Sequence, residues 1–206
     1  MSGSGLPDIS PAQRRILLVM TREILVSALL CPPGSQGGSE ARTDLRRHAG
    51  HPQVSKLLTL HCGLFVTLRR RDRGGELRGC IGRMTSDEPL RTSLPEVAVD
   101  TAVRDRRFPP VSAAELPSIG IELSLLSPMT RAAGGWRDIE LGIHGIHLSH
   151  GIHRAVFLPE VATDQGWDLE TTLTRLALKG GMAAGAWKDP MAEILLFTST
   201  HFGEDD

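Results

Sequence analysis

The 206 residues carry 23 Lys and Arg against 24 Asp and Glu, a net charge of −1, with 40% apolar and 23% charged side chains. This balance fits one compact globular domain rather than a disordered chain. It gives no electropositive field for nucleic acid or an anionic membrane, and no apolar run nears the roughly 20 residues of a membrane span.

Three dispersed cysteines, Cys31, Cys62 and Cys80, form neither a disulfide framework nor a Cys-x-x-Cys pair, which points to a reducing cytoplasm. MSGSGLPD lacks the pattern of a signal peptide, so residues 1–9 read as a flexible tail and residues 10–203 as a single domain. Ser10 and Pro11 make an N-cap and first-turn pair, and Leu17, Met20, Ile24 and Ala28 recur at helical spacing, predicting a helix over 11–30. CPPGSQGGSEAR and TDLRRHAGHP, residues 31–52, predict a long polar connection with a short helical turn. Leu64, Val66 and Leu68 alternate with Phe65, Thr67 and Arg69, and RDRGG then turns the chain back into ELRGCIG, a β-hairpin. Ser93 with Glu96 resembles a capping box for a second helix, its inward face Leu94, Val97, Ala98, Thr101 and Ala102. That helix ends before RRFPP, where Pro109 disfavours helix at Phe108.

IGIELSLLS, residues 119–127, alternates as a strand, with Ile119, Ile121, Leu123 and Leu125 on one face and Glu122 off it. Beyond AAGGW, residues 139–158 read as short strands broken at His144-Gly145 and His150-Gly151. Asp168 caps a third helix, Leu169, Leu173, Leu176 and Ala177 inward, which ends at Gly180, and EILLFTSTHF forms a final strand. Helices intermixed with hairpins predict an α+β fold, a mixed or antiparallel sheet with flanking helices.

The strand period of two sets Arg78 and Cys80 on one face, with Leu77, Gly79 and Ile81 on the other. A guanidinium beside a sulfur favours thiolate over thiol, and Gly79 and Gly82 would let a substrate or another backbone approach. The plainer reading is that Cys80 is a small buried residue, since free cysteine is among the most buried types and no histidine stands nearby in sequence as a base. His144, His147, His150 and His153 recur every third residue, but glycines and β-branched neighbours favour strands and turns, where such positions alternate faces. No metal site is read there. Arg107, in RDRR, is an anion ligand or simply a cation at a helix C-terminus; Glu122 and Lys179 are acid–base candidates or ordinary surface residues. Trp136, Trp167 and Trp187 read as packing anchors.

ELRGCIG, RFPP, IELSLLSP, FLPEVATDQGWD, LALKGGM and AWKDP, in this order, resemble the AMMECR domain family, in microbes AmmeMemoRadiSam system protein A, from about Leu17 to Phe202. LRGCIG is that family's signature. The resemblance implies an α+β fold of two unequal lobes with a cleft near the signature, and a Memo-like protein and a radical-SAM enzyme as partners. It names no reaction and no cofactor. Carried over onto this sequence are Arg78, Gly79, Cys80, Ile81, Gly82, Arg107, Phe108, Pro109, Glu122, Pro159 and Lys179. The four-histidine stretch departs from the pattern, as does DRRFPP where DPRFPP is common, leaving Arg106 a local variation. Two readings follow. One is an enzyme or enzyme component with Cys80 as nucleophile or thiol carrier, Arg78 favouring its thiolate, Glu122 or Lys179 moving protons, and Gly79, Ile81, Gly82, Arg107 and Phe108 contacting the ligand. The other is an adaptor whose LRGCIG cleft grips a partner protein, peptide or nucleotide.

Overall fold

The computed structural model describes residues 5–30 and 52–206. In chain order its regular elements are α1 (Pro11–Leu30), β1 (Gly63–Arg70), β2 (Glu76–Arg83), α2 (Leu90–Val103), β3 (Ile119–Leu126), β4 (Thr130–Arg131), β5 (Gly145–His150), β6 (His153–Phe157), α3 (Glu160–Asp164), α4 (Leu169–Lys179), β7 (Glu193–Phe197) and β8 (Ser199–Gly203). The strands form two four-stranded antiparallel sheets, β2-β1-β3-β8 and β4-β7-β5-β6. The chain is thus α+β. It divides into two compact units, Pro7–Leu126 with Thr200–Asp206, and a second built on Ser127–Ser199. Among the described residues no helix is long and apolar enough to cross a membrane.

In the first unit Ser10 starts α1 by exchanging bonds with Gln13: the Ser10 amide donates to Gln13 Oε1 at 2.9 Å, and the Gln13 amide donates to the Ser10 hydroxyl at 3.4 Å. Leu17, Met20, Ile24 and Leu25 line the buried stripe, and Ile9, assigned to a tail by the sequence, is 1% exposed. Alternation along β1 sends Leu64, Val66 and Leu68 inward, opposite Leu125, Leu123 and Ile121 of β3, and α1 and α2 pack on this apolar side. Phe65, Thr67 and Arg69 occupy the opposite, polar face, with Ser124, Glu122 and Gly120 as their partners.

Three sequence expectations change. The second helix begins at Leu90, not after Ser93: Pro89 stands at the N-cap, Leu90 and Leu94 are both buried one turn apart, and Ser93 is inside the helix. The core contact of Leu90 outweighs the capping signal at Ser93. Residues 139–144 are turn rather than strand, because the Ile143 and His144 amides both donate back to the Glu140 carbonyl and the Glu140 amide donates to His144 Nδ1 at 3.1 Å. EILLFTSTHF is two strands in different sheets. Thr198 breaks it, its amide donating to Ser127 Oγ and its carbonyl accepting from the Ser127 amide, each at 2.9 Å. The polar connection expected over 31–52 falls, but for its last residue, outside the described residues.

The second unit closes around Ile146, Leu148, Leu173, Leu176, Trp187, Ile194 and Leu196. Its β5–β6 hairpin turns on Gly151 and Ile152, with Gly151 at φ +60°, where only glycine is unstrained. As expected, Asp168 caps α4, its carboxylate accepting the Thr171 amide at 2.8 Å.

Candidate functional site: a half-buried thiol on the polar face of a sheet edge

Strand β2 is an edge strand, and edge strands leave alternate backbone groups unpaired. At Cys80 those groups are taken by side chains: the amide donates to Asp105 Oδ2 at 2.9 Å, and the carbonyl accepts from an Arg107 guanidinium nitrogen at 3.0 Å. Arg107 also grips both Asp105 oxygens, at 3.0 and 2.7 Å. Asp105 and Arg107 therefore stand where a further strand would pair. Because the backbone groups of Cys80 point outward, its pairing with Thr67 is of the non-hydrogen-bonded kind, which brings side chains closest. Accordingly Thr67 Oγ1 donates to Cys80 Sγ at 3.2 Å, and the thiol is half-buried.

The Asp105 side chain is only 7% exposed, and the Arg107 guanidinium, with the Cys80 and Arg107 amides, holds its carboxyl well below the usual carboxylate range. Phe108 follows directly, its ring 5.5 Å from the Arg107 guanidinium carbon.

Arg78 is not beside the thiol. Leu68 pairs with Gly79 and Arg69 with Leu77, so Arg78 is the extra residue of a β-bulge and drops out of the alternation that would align it with Cys80. It is 8% exposed, and its donors go to Glu115 Oε1 at 3.0 Å and the Pro109 carbonyl at 2.9 Å. Arg78, aided by the Ser112 amide, in turn holds the Glu115 carboxyl down to about 2. The cation nearest the cysteine backbone is Arg107.

The signature glycines are filled from within the protein. A Cβ on Gly79 would stand 2.8 Å from the Thr101 carbonyl of α2, and one on Gly82 would overlap the Phe65 ring. Gly79 thus admits another backbone, and Gly82 admits an aromatic ring. Ile81 pairs with Val66 on the helix-covered side.

Thr67 stands between Cys80 and Glu122 in one cross-strand row, which puts Glu122 two strand spacings, about 10 Å, from the cysteine. Glu122 accepts from Arg69 Nε at 2.6 Å, and on the same face Ser124 Oγ lies 3.0 Å from His201 Nδ1. Lys179 belongs to the second unit, where its ammonium donates to the Val156 carbonyl at 2.8 Å and lies 4.9 Å from the Phe157 ring centre.

The four histidines take separate roles. His144 accepts the Glu140 amide, His150 faces Asp189 at 3.3 Å, His153 lies 3.1 Å from the Gly180 carbonyl, and burial lowers the pKa of His147. Among the described residues no three His, Cys, Asp or Glu side chains gather as metal ligands would.

Thr67, Asp105 and Glu115 are the participants that the sequence did not single out. Asp105 lay inside RDRR, which read as a run of cations; an acid flanked by arginines was the available signal.

An antiparallel sheet backed by two helices, with a signature thiol on its open face, defines an α+β protein class that comparison makes specific. A family model for AMMECR1 matches residues 38–202. A protein of Methanothermobacter thermautotrophicus is 37% identical over 148 residues, 69% of this chain and 76% of its own. Protein MJ0810 of Methanocaldococcus jannaschii is 36% identical over 147 residues, covering 69% and 73%. The crystal structure of the uncharacterised protein PH0010 from Pyrococcus horikoshii superposes with a TM-score of 0.73 at 28% identity, covering 96% of this chain and 94% of that one. The chain belongs to the AMMECR1 family.

Proposed function

We propose that this is a cytoplasmic protein that acts through the Cys80 thiol, as nucleophile or thiol carrier, in concert with a Memo-like protein and a radical-SAM enzyme. The observation that carries the reading is the contrast between two thiols of one unit. Cys62 is 3% exposed, and burial pushes it up to about 11, whereas Cys80 is half-buried on a polar face with the Thr67 hydroxyl directed at its sulfur. A hydroxyl hydrogen directed at sulfur stabilises negative charge developing there. Asp105 and Arg107 fix the backbone from which the thiol projects, so the sulfur is presented rigidly. Glu122 is too far for direct transfer, so the thiol proton passes to solvent or to a group supplied by the substrate or partner.

A second reading, a noncatalytic adaptor, is favoured by two observations: Glu122 is committed to Arg69, and no described carboxylate or imidazole hydrogen-bonds to Cys80 Sγ. Substitutions separate the two. Cys80→Ser and Cys80→Ala should abolish function in cells while leaving the fold and partner capture intact. Full function in both variants, with loss in Arg107→Ala, would instead establish the adaptor. Arg78→Ala is not a usable probe, because it removes a buried guanidinium and strips the half-buried Glu115 carboxylate of its partner.

A further inference from the structure

The AWKDP stretch takes no part in the thiol site. Trp187, Lys188, Asp189 and Pro190 form one wall of a cavity of about 340 Å³ in the second unit, and the AAGGW loop with Arg131 and Arg137 forms the other. Both walls are fixed by local bonds. The Gly134 amide donates to Asp138 Oδ2 at 2.6 Å, the Met191 amide to Asp189 Oδ1 at 2.8 Å, and the Ala132 amide to the Ile194 carbonyl at 3.0 Å. Trp136 and Trp187 meet edge to face, ring centres 5.5 Å apart, and the Arg137 guanidinium is stacked 4.3 Å over Trp136.

The charges in this lining are unequally committed. Lys188 pairs with Glu170 at 2.9 Å, and Asp189 turns to His150 and the Met191 amide. Among the described residues neither Arg131 nor Arg137 has a carboxylate partner, which leaves two guanidiniums against one lining carboxylate outside any ion pair, Glu193, whose charge acts on His147. The cavity of about 290 Å³ beside Arg78 differs, since Arg70 and Arg78 there are neutralised by Asp72 and Glu115. Of these two cavities, the one in the second unit therefore has positive charge to offer a ligand.

We propose that this cavity binds a small organic phosphate, with Arg131 and Arg137 on the phosphoryl oxygens and the organic portion along the tryptophan wall. Planar guanidinium forks match phosphate geometry, and two cations set against one carboxylate leave a net positive lining that attracts an oxyanion. The volume lies in the range of small-molecule sites, about 300–1,000 Å³, and exceeds what a bare phosphate fills.

The test uses the full chain, titrated calorimetrically and by tryptophan fluorescence with phenyl phosphate, glycerol phosphate and inorganic phosphate. At least one ester should bind more tightly than inorganic phosphate and perturb tryptophan emission. Arg131→Ala and Arg137→Ala should each weaken that binding about tenfold or more without changing the circular dichroism spectrum. Cys80→Ser should bind like the parent, which keeps this inference separate from the thiol reading. The proposal is overturned if neither ester binds at about 10 mM. It also fails if inorganic phosphate binds as well as both esters, or if the double arginine variant keeps the parental affinity.

Discussion

Thr67 has no charge and no unusual exposure, yet its hydroxyl is the polar group bonded to the Cys80 sulfur. Replacing it by valine keeps the β-branched shape that suits a strand and removes only the donor. Thr67→Val should therefore slow alkylation of Cys80 at neutral pH several-fold while leaving thermal stability within about 1 kcal/mol. An unchanged rate would mean the hydroxyl has no part in the chemistry of the thiol. Asp105 has a heavier role, because losing its carboxylate strips the Cys80 amide of its acceptor and Arg107 of its counter-charge. Asp105→Ala should cost about 2–3 kcal/mol in denaturant unfolding, more than an exposed ion pair contributes.

At the scale of elements, the hairpin, α1 and α4 were legible because each repeats its apolar pattern over several turns or alternations. Leu64, Val66 and Leu68 are buried as the period of two demands, and Asp168 caps α4 as its side-chain chemistry demands. The bulge at Arg78 was not legible. It is a property of register between two strands, set by how Gly79 seats against Thr101 and how Arg78 reaches Glu115, and neither partner lies near in sequence. One extra residue suffices to move Arg78 from the cysteine to a carboxylate network. The same packing makes Gly79 intolerant: its Cβ would stand 2.8 Å from a helix carbonyl, so Gly79→Ala should destabilise by about 1–3 kcal/mol and shift the α2 amides in an NMR spectrum. Gly151→Ala, with open space around its Cβ, should cost only the backbone strain of its positive φ, about 1 kcal/mol.

Over the whole molecule, each unit has its own sheet and core, and the chain passes between them where Leu6 gives way to Pro7, Leu126 to Ser127 and Ser199 to Thr200. The first unit also carries an acid-sensitive element. Glu115 is held at about 2 against an ordinary 4.5, so the stability it contributes is complete above pH 4.5 and is lost as pH falls from there towards 2. Glu115→Gln should lower stability at neutral pH by on the order of 2 kcal/mol, the difference from the parent shrinking as pH falls through that window. Hydrogen exchange of the β1–β3 amides would follow this unit by itself. The apolar periodicities pointed to the fold class, and the LRGCIG signature with its companion motifs to the family. The partners of each site side chain came only with the packed structure, since Asp105, Glu115 and Thr67 reach the signature strand from other segments. The most direct test of the thiol reading is alkylation of the native chain with iodoacetamide across a pH series, followed peptide by peptide in a mass spectrometer. Cys80 should be modified at neutral pH far faster than Cys62, whose thiol burial holds near 11. A Cys80 as slow as Cys62 would contradict a working thiol at this site.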